Sequence, residues 1–266
     1  MQKIFRQALV LVLIFVVSFF ILSQIDLMEL FTIRQKVSDT EEKLGDLLLA
    51  DIRDSEEAIA DTFILAQCDS ILNKICRFNE IDHKLIKLHL LKKDEVNAYA
   101  LPDGHLIIFK GLLQEVDSPE QLSGVIGHEL AHIDLNHVMQ KLAKEVGFAV
   151  LVSMTSAGGG GEMVKEVSRL LSSSAFDRSL EKEADIQSVE YMKRAKIDVR
   201  LYANFLFRLS TERGKSNAYW SWLSTHPDLE ERAKYILEER NVGDYESEEL
   251  ISTSNWQQFK EHLDSL

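Results

Sequence analysis

The sequence predicts an α+β domain, mostly α-helical, with a small β-hairpin beside one central helix and a single membrane helix at the N-terminus. Three observations lead there. Apolar residues recur at helical spacing in segments around 64–76, 119–133, 180–195, 228–238 and 256–263. Only the stretch from Lys87 to Phe109 reads as extended, with β-branched and aromatic residues around a Pro-Asp-Gly punctuation. The first 25 residues are of a different composition from the rest.

Lys3 and Arg6 precede an apolar run from Ala8 to Leu22, broken only by Ser18. That length lies between a signal-peptide core and a minimal bilayer span. No small-x-small cleavage site follows, and the segment has no cysteine for lipid attachment. Residues 1–25 therefore read as an uncleaved signal anchor, single-pass in the inner membrane, with the N-terminus cytoplasmic because the positive charges come first. The rest of the chain would face the periplasm or the cell exterior; the alternative is secretion to the periplasm after cleavage. Residues 26–240 are then one globular domain and residues 241–266 a helical tail, in which Trp256, Phe259 and Leu263 share a face that docks on the domain. A net charge of −13 argues against a nucleic-acid partner.

Cys68 and Cys76 fall on an apolar helical stripe with Ile64, Ile71, Leu72 and Ile75. A helix separates them by about 12 Å, too far for a disulfide. They read as buried thiols. Next come Lys87–Leu90 and Asn97–Ala100, both extended, then Leu106–Phe109. Pro102-Asp103-Gly104 fits positions i+1 to i+3 of a type I turn.

Ser118-Pro119-Glu120-Gln121 reads as an N-cap, an N1 proline and a capping-box glutamine. In the helix it opens, Leu122, Val125, Ile126 and Ile133 make an apolar face, while Gly124, Gly127 and Ala131 make a small-residue stripe that lets another element approach. The helix carries His128-Glu129-Leu130-Ala131-His132. Two imidazoles four residues apart share one helical face, so both reach one metal ion, and Glu129 lies at its flank as a general base. His128 and His132 sit on the side of Val125, toward the interior.

A third ligand is offered some fifty residues on, in Leu180-Glu181-Lys182-Glu183-Ala184-Asp185. Glu181 and Asp185 are i and i+4 on a face that continues through Val189 and Met192. Carboxylates on a core-facing stripe are costly without a cation. Glu181 is the candidate ligand, and Asp185 is placed to accept the free N–H of a ligating histidine; the alternative is an exposed acidic first turn. Glu183 points away, toward solvent. His137, five residues past His132, falls off the ligand face as a rim or structural histidine. The expected site is one zinc ion per chain on His128, His132 and Glu181, with the fourth position open to water, which is the arrangement of a catalytic site. Val146–Ala157 is apolar and too short to span a bilayer. It extends the preceding helix, packs in the core or dips against membrane or substrate. Gly158–Gly161 after it would let this segment act as a mobile cover.

These stretches, with Asn97-Ala98-Tyr99-Ala100-Leu101-Pro102-Asp103-Gly104 and Ser224-Thr225-His226-Pro227 followed by Arg232, resemble the HtpX-like, BepA-like and CaaX-prenyl-protease-like zinc metallopeptidases, a gluzincin family. The resemblance covers roughly residues 40–238. Asp103 stands where a glycine is usual and Asn136 where an arginine is common. The resemblance implies that Glu181 is a ligand and that the strand Asn97, Ala98, Tyr99 and Ala100 pairs with the substrate backbone; the plain alternative is a hairpin that only completes the sheet. It also implies that the loop carrying His226 approaches the metal, to stabilise an oxyanion or to bind zinc transiently, with Arg232 either anchoring the loop through an acidic partner or assisting the oxyanion. Solvent exposure of His226 is the alternative. The function implied is a membrane-anchored zinc metalloendopeptidase cutting extended or misfolded envelope proteins. A rival from another class is a zinc-stabilised chaperone for such clients, against which an intact Glu129 argues.

Overall fold

The computed structural model describes residues 33–156, 160–211, 220–238 and 246–266, together with Gln7. The apolar run Ala8–Leu22, with the anchor expected there, lies outside the described residues, as do Ala157, Gly158 and Gly159. Among the described residues no helix is long and apolar enough to cross a membrane. Contacts divide the chain at residue 40, and residues 41–266 hold the sheet and the candidate site.

The sheet has three strands, β1 (Lys87–Leu91), β2 (Ala98–Leu101) and β3 (His105–Phe109), in the order β1-β3-β2. β3 runs parallel to β1, pairing Lys87 with His105 through Leu91 with Phe109, and antiparallel to β2, pairing Ala98 with Ile108 through Leu101 with His105. The expected hairpin is thus β2–β3, but its turn is not type I. Asp103 sits at φ 62° and Gly104 at φ 71°, where a type I turn needs negative φ at its central residues. Aspartate tolerates this left-handed region better than most side chains.

The two faces of the sheet enter two apolar cores, as the period-two alternation of a strand requires. Leu90, Ala98, Leu106 and Ile108 pack with helices α2 (Thr62–Phe78), α4 (Pro119–Asp134), α8 (Arg178–Arg194) and α9 (Val199–Thr211). Leu91, Tyr99, Leu101, Ile107 and Phe109 pack with α1 (Ile33–Ser55), α5 (His137–Glu145), α6 (Phe148–Ser156) and α7 (Gly161–Ser173). Cys68 and Cys76 are free and buried on α2. The short α3 (Lys110–Glu115) joins the sheet to α4, and Lys260 of α12 (Thr253–Asp264) donates to the carbonyls of Leu113, Gln114 and Val116. With Phe259 and Leu263 buried, the C-terminal helix docks on the domain.

Helix α4 is capped as its sequence requires. The Ser118 hydroxyl accepts from the N–H of Gln121, and Pro119 occupies the first turn. Gln121 reaches back to the N–H of Asp117 (2.8 Å) rather than to that of the cap residue. The small-residue stripe is where α8 and α9 approach. A Cβ on Gly124 would lie 2.0 Å from the ring of Tyr202, and one on Gly127 would lie 2.7 Å from Ser188 Oγ. The helix ends at Asp134, and Asn136 at φ 57° and ψ 29° redirects the chain into α5.

Candidate active site

Helix α4 carries His128, Glu129 and His132 into the interior, each with no exposed surface. Opposite, α8 brings Glu181 and Asp185, both buried. His128 Nδ1 lies 2.9 Å from Asp185 Oδ1. Arg232, on α11 (Leu229–Glu238), clamps that carboxylate through Nε at 2.8 Å and Nη2 at 2.7 Å, and Tyr235 donates its hydroxyl to it. These cations and donors hold the Asp185 carboxyl below its usual range despite burial. The same guanidinium places Nη1 2.8 Å from Glu181 Oε2. Burial would raise the Glu181 carboxyl, but the neighbouring His226 and Arg232 hold it well down and ionised. Burial pushes the His132 imidazole down to about 3, so it is neutral.

The outer nitrogens fix what the inner ones present. With Nδ1–H of His128 given to Asp185, its Nε2 is turned inward; burial and Arg232 lower this imidazole, but Asp185 and Glu181 outweigh them and raise it to about 9, so a cation bound there would displace the proton on Nε2. His132 Nδ1 faces His137 Nδ1 at 3.1 Å, which turns its Nε2 inward as well. The two Nε2 atoms stand 3.1 Å apart, and they lie 3.5 Å and 3.4 Å from the oxygens of Glu181. Lone pairs and a carboxylate converging in a buried space repel one another unless a cation lies between them. Bonds of about 2.0–2.1 Å in a tetrahedral zinc site put ligand atoms about 3.3 Å apart, which these separations match. The donor set therefore fits zinc.

His226 joins this cluster. It follows the short helix α10 (Trp220–Thr225), is fully buried, and places Nδ1 3.1 Å from both oxygens of Glu181 and 3.3 Å from His128 Nε2. One donor atom from each of His128, His132, Glu181 and His226 lies within 4.8 Å of the others. The fourth position, expected open to water, is faced here by an imidazole. The ring of Trp222 lies against that of His226 at 4.4 Å between centroids, and the ionised Glu181 draws it inward.

Glu129 stands at the flank. Its Oε2 accepts the backbone N–H of Ala100 at 3.0 Å. Its Oε1 has no hydrogen-bond partner, although His226 Nε2 is 3.4 Å away. Burial pushes its carboxyl up to about 8. This acceptor, aimed beside the cluster, suits a group that takes up and returns a proton near neutral pH.

Residues 65–240 match peptidase family M48. The chain belongs to that family. Metallopeptidases of family M48 use zinc, in keeping with the donor set. Among curated relatives, the M48 chain is 29% identical over 188 residues to the mitochondrial metalloendopeptidase OMA1 of Bos taurus, covering 65% of this chain and 34% of the relative. It is 29% identical over 165 residues to the metalloprotease LoiP of Escherichia coli, covering 59% and 64%. It is 22% identical over 204 residues to the beta-barrel assembly-enhancing protease of Yersinia pestis, covering 71% and 41%. The chain thus spans less than two thirds of the length of these relatives.

The structure of this M48 chain brings together His128, His132, Glu181, Asp185, His226, Arg232 and Glu129. The expected strand Asn97–Ala100 is observed one residue later as β2, whose Ala100 meets Glu129, and α4 and α7 pack against β2. β2 is an edge strand, but all four of its residues are buried. Sequence reasoning missed Trp222, Phe176 and the inward position of His137. The ring of Phe176 stacks on His132 at 4.0 Å. No spacing rule marks such packing, although His137 was visible as a histidine near the pair.

Proposed function

We propose that this M48 chain is a zinc metalloendopeptidase that hydrolyses peptide bonds in extended stretches of polypeptide, with one zinc on His128, His132 and Glu181. The observation that carries this reading is the convergence of the Nε2 atoms of His128 and His132 and one ionised carboxylate beside a second carboxyl group that keeps a free oxygen. Zinc bound there supplies a Lewis acid that acidifies a water molecule and polarises the scissile carbonyl.

The chain's own residues do the rest. Glu129 takes the proton of the attacking water at Oε1 and returns it to the leaving amine. Asp185 holds His128 through Nδ1–H, and Arg232 neutralises Asp185 while restraining Glu181. The alternation of the β2–β3 ladder, in which Phe109 donates to Asn97, turns the amide groups of Ala98 and the carbonyl of Ala100 toward the outer edge, the Ala100 N–H being held by Glu129. Those groups would pair with substrate backbone, so recognition would read main chain rather than side chains.

His226 beside the metal donors and the buried β2 edge describe a covered arrangement. Helix α7 packs on both β2 and α10, so its displacement, or that of the His226 loop, would admit substrate. The beta-barrel assembly-enhancing relative supports proteins of the cell envelope as substrates, and the basic-then-apolar N-terminus supports an inner-membrane anchor with the site on the outer side.

The test is to mix the purified full chain with an unfolded protein, with and without chelator, beside Glu129→Gln. Chelator-sensitive cleavage that disappears in Glu129→Gln is expected. Cleavage that survives the substitution defeats the mechanism, and client binding without cleavage favours a chaperone.

A further inference from the structure

We propose that His137 is the positioning residue of His132, holding that imidazole in the tautomer and orientation that leave Nε2 free for zinc. This rests on the reading of His132 as a ligand and adds a residue to that site.

The two candidate histidine ligands have unlike partners. His128 gives Nδ1–H to a carboxylate that is itself clamped by Arg232. Among the described residues His132 meets no carboxylate at Nδ1; it meets His137 Nδ1 at 3.1 Å, on a residue only 1% exposed. The left-handed Asn136 makes this contact possible. By ending α4 and starting α5 it swings His137 back over the ring one turn earlier.

Hydrogen-bond bookkeeping then fixes both rings. If His132 uses Nε2 for the metal, its proton is on Nδ1, and His137 must accept it with an unprotonated Nδ1. His137 then carries its own proton on Nε2, which lies 3.5 Å from Glu183 Oε2. The reverse tautomer would put a proton on His132 Nε2 and forbid ligation. Phe176 stacks on the face of His132 and fixes the ring plane but offers no acceptor. Glu183 is 59% exposed, so water replaces it readily. Acceptance at Nδ1 is what the site needs from His137.

The test is zinc affinity of the full chain, read by competition with a chromophoric chelator, with melting of the metal-free proteins as the check on folding. His137→Phe keeps a ring but has no acceptor, and it should weaken zinc binding about 10–100-fold, as should His137→Ala. His137→Asn places an amide oxygen near the position of Nδ1 and should recover most of the loss. Glu183→Gln should stay within about five-fold of wild type. Wild-type affinity in His137→Phe, or an Asn variant as weak as Ala, overturns the proposal. If His132→Ala abolishes binding while the His137 variants bind normally, this proposal alone fails. If His132→Ala binds zinc like wild type, the ligand assignment fails with it.

Discussion

Ala100 gives its backbone N–H to Glu129 Oε2 at 3.0 Å, and this bond ties the edge strand to the helix that carries both candidate histidine ligands. The carboxylate therefore has a structural task as well as the proposed chemical one. Glu129→Ala would leave a buried N–H without an acceptor, which costs about 1–3 kcal/mol. Glu129→Gln keeps an acceptor and should unfold within about 1 kcal/mol of wild type. Urea titrations of the two variants check this. Equal stability of Ala and Gln would show that the bond contributes nothing to the fold.

Removing the cation should loosen the protein. The Nε2 atoms of His128 and His132 and the Glu181 carboxylate then lose the ion that would tie their two helices together. Linkage predicts about 2.7 kcal/mol of added stability at free zinc one hundred times its dissociation constant. Thermal melts with zinc or with chelator measure it, and superimposable melts would contradict a bound ion. His226→Ala should raise turnover of an unfolded substrate by uncovering the fourth position; a fall in turnover would instead make His226 part of the chemistry.

The close approach of α4 to its neighbours makes a graded steric prediction. Gly124→Ala drives a methyl group to 2.0 Å from Tyr202 Cγ and 2.4 Å from its Cβ, the root of a fully buried side chain that has nowhere to turn. A cost of about 1–3 kcal/mol or more is expected. Gly127→Ala meets only Ser188 Oγ, which can turn aside at the loss of its 3.1 Å bond to the Gly124 carbonyl. It should cost less, about 1 kcal/mol. Denaturation midpoints give the order, and the reverse order would refute the packing argument.

Acid should weaken the fold through a group that is not part of the candidate site. His89 sits between Arg53, whose Nη2 is 3.0 Å from its Nδ1, and His105, whose Nδ1 is 2.8 Å from its Nε2. Burial first, then His105, Arg53 and Lys87, push its pKa down to about 4. The unfolded chain keeps a histidine near pKa ~6.5. Between those values the unfolded state binds more protons, so stability rises with pH through the window and falls as pH drops from about 6.5 toward 4. His89→Gln should flatten that slope. Parallel profiles for wild type and variant would exclude His89 as a source.

Helix α7 offers a dynamic test. If it covers β2 and α10, the amides of 161–173 should exchange with solvent faster than those of α4. Protection equal to that of α4 would argue against opening there.

Much of this arrangement was legible in the sequence because helical spacing is rigid. His128 and His132 had to share a face, and Glu181 with Asp185 had to share another that continued into apolar residues. The glycine stripe likewise announced a close neighbour. What stayed hidden depends on single backbone dihedrals and on tertiary packing. Continuing α4 past residue 134 puts His137 on the wrong side, and only the left-handed Asn136 reverses that. Asp103 misled the turn assignment for the same reason, since an L-residue was assumed to keep negative φ. Trp222 and Phe176 follow no repeat, and their contacts with the histidine rings arise only once distant segments meet. The covering of β2 was equally unreadable, because four buried strand residues look alike whether a sheet or a helix lies against them.

That covering has a consequence for how the molecule lives among other copies of itself. A bare strand border recruits whatever extended chain comes near, including a twin. By keeping the border of β2 tucked under helices, the resting molecule withholds that border from a neighbouring copy, which could otherwise nucleate a fibre there or offer its own loops for cutting.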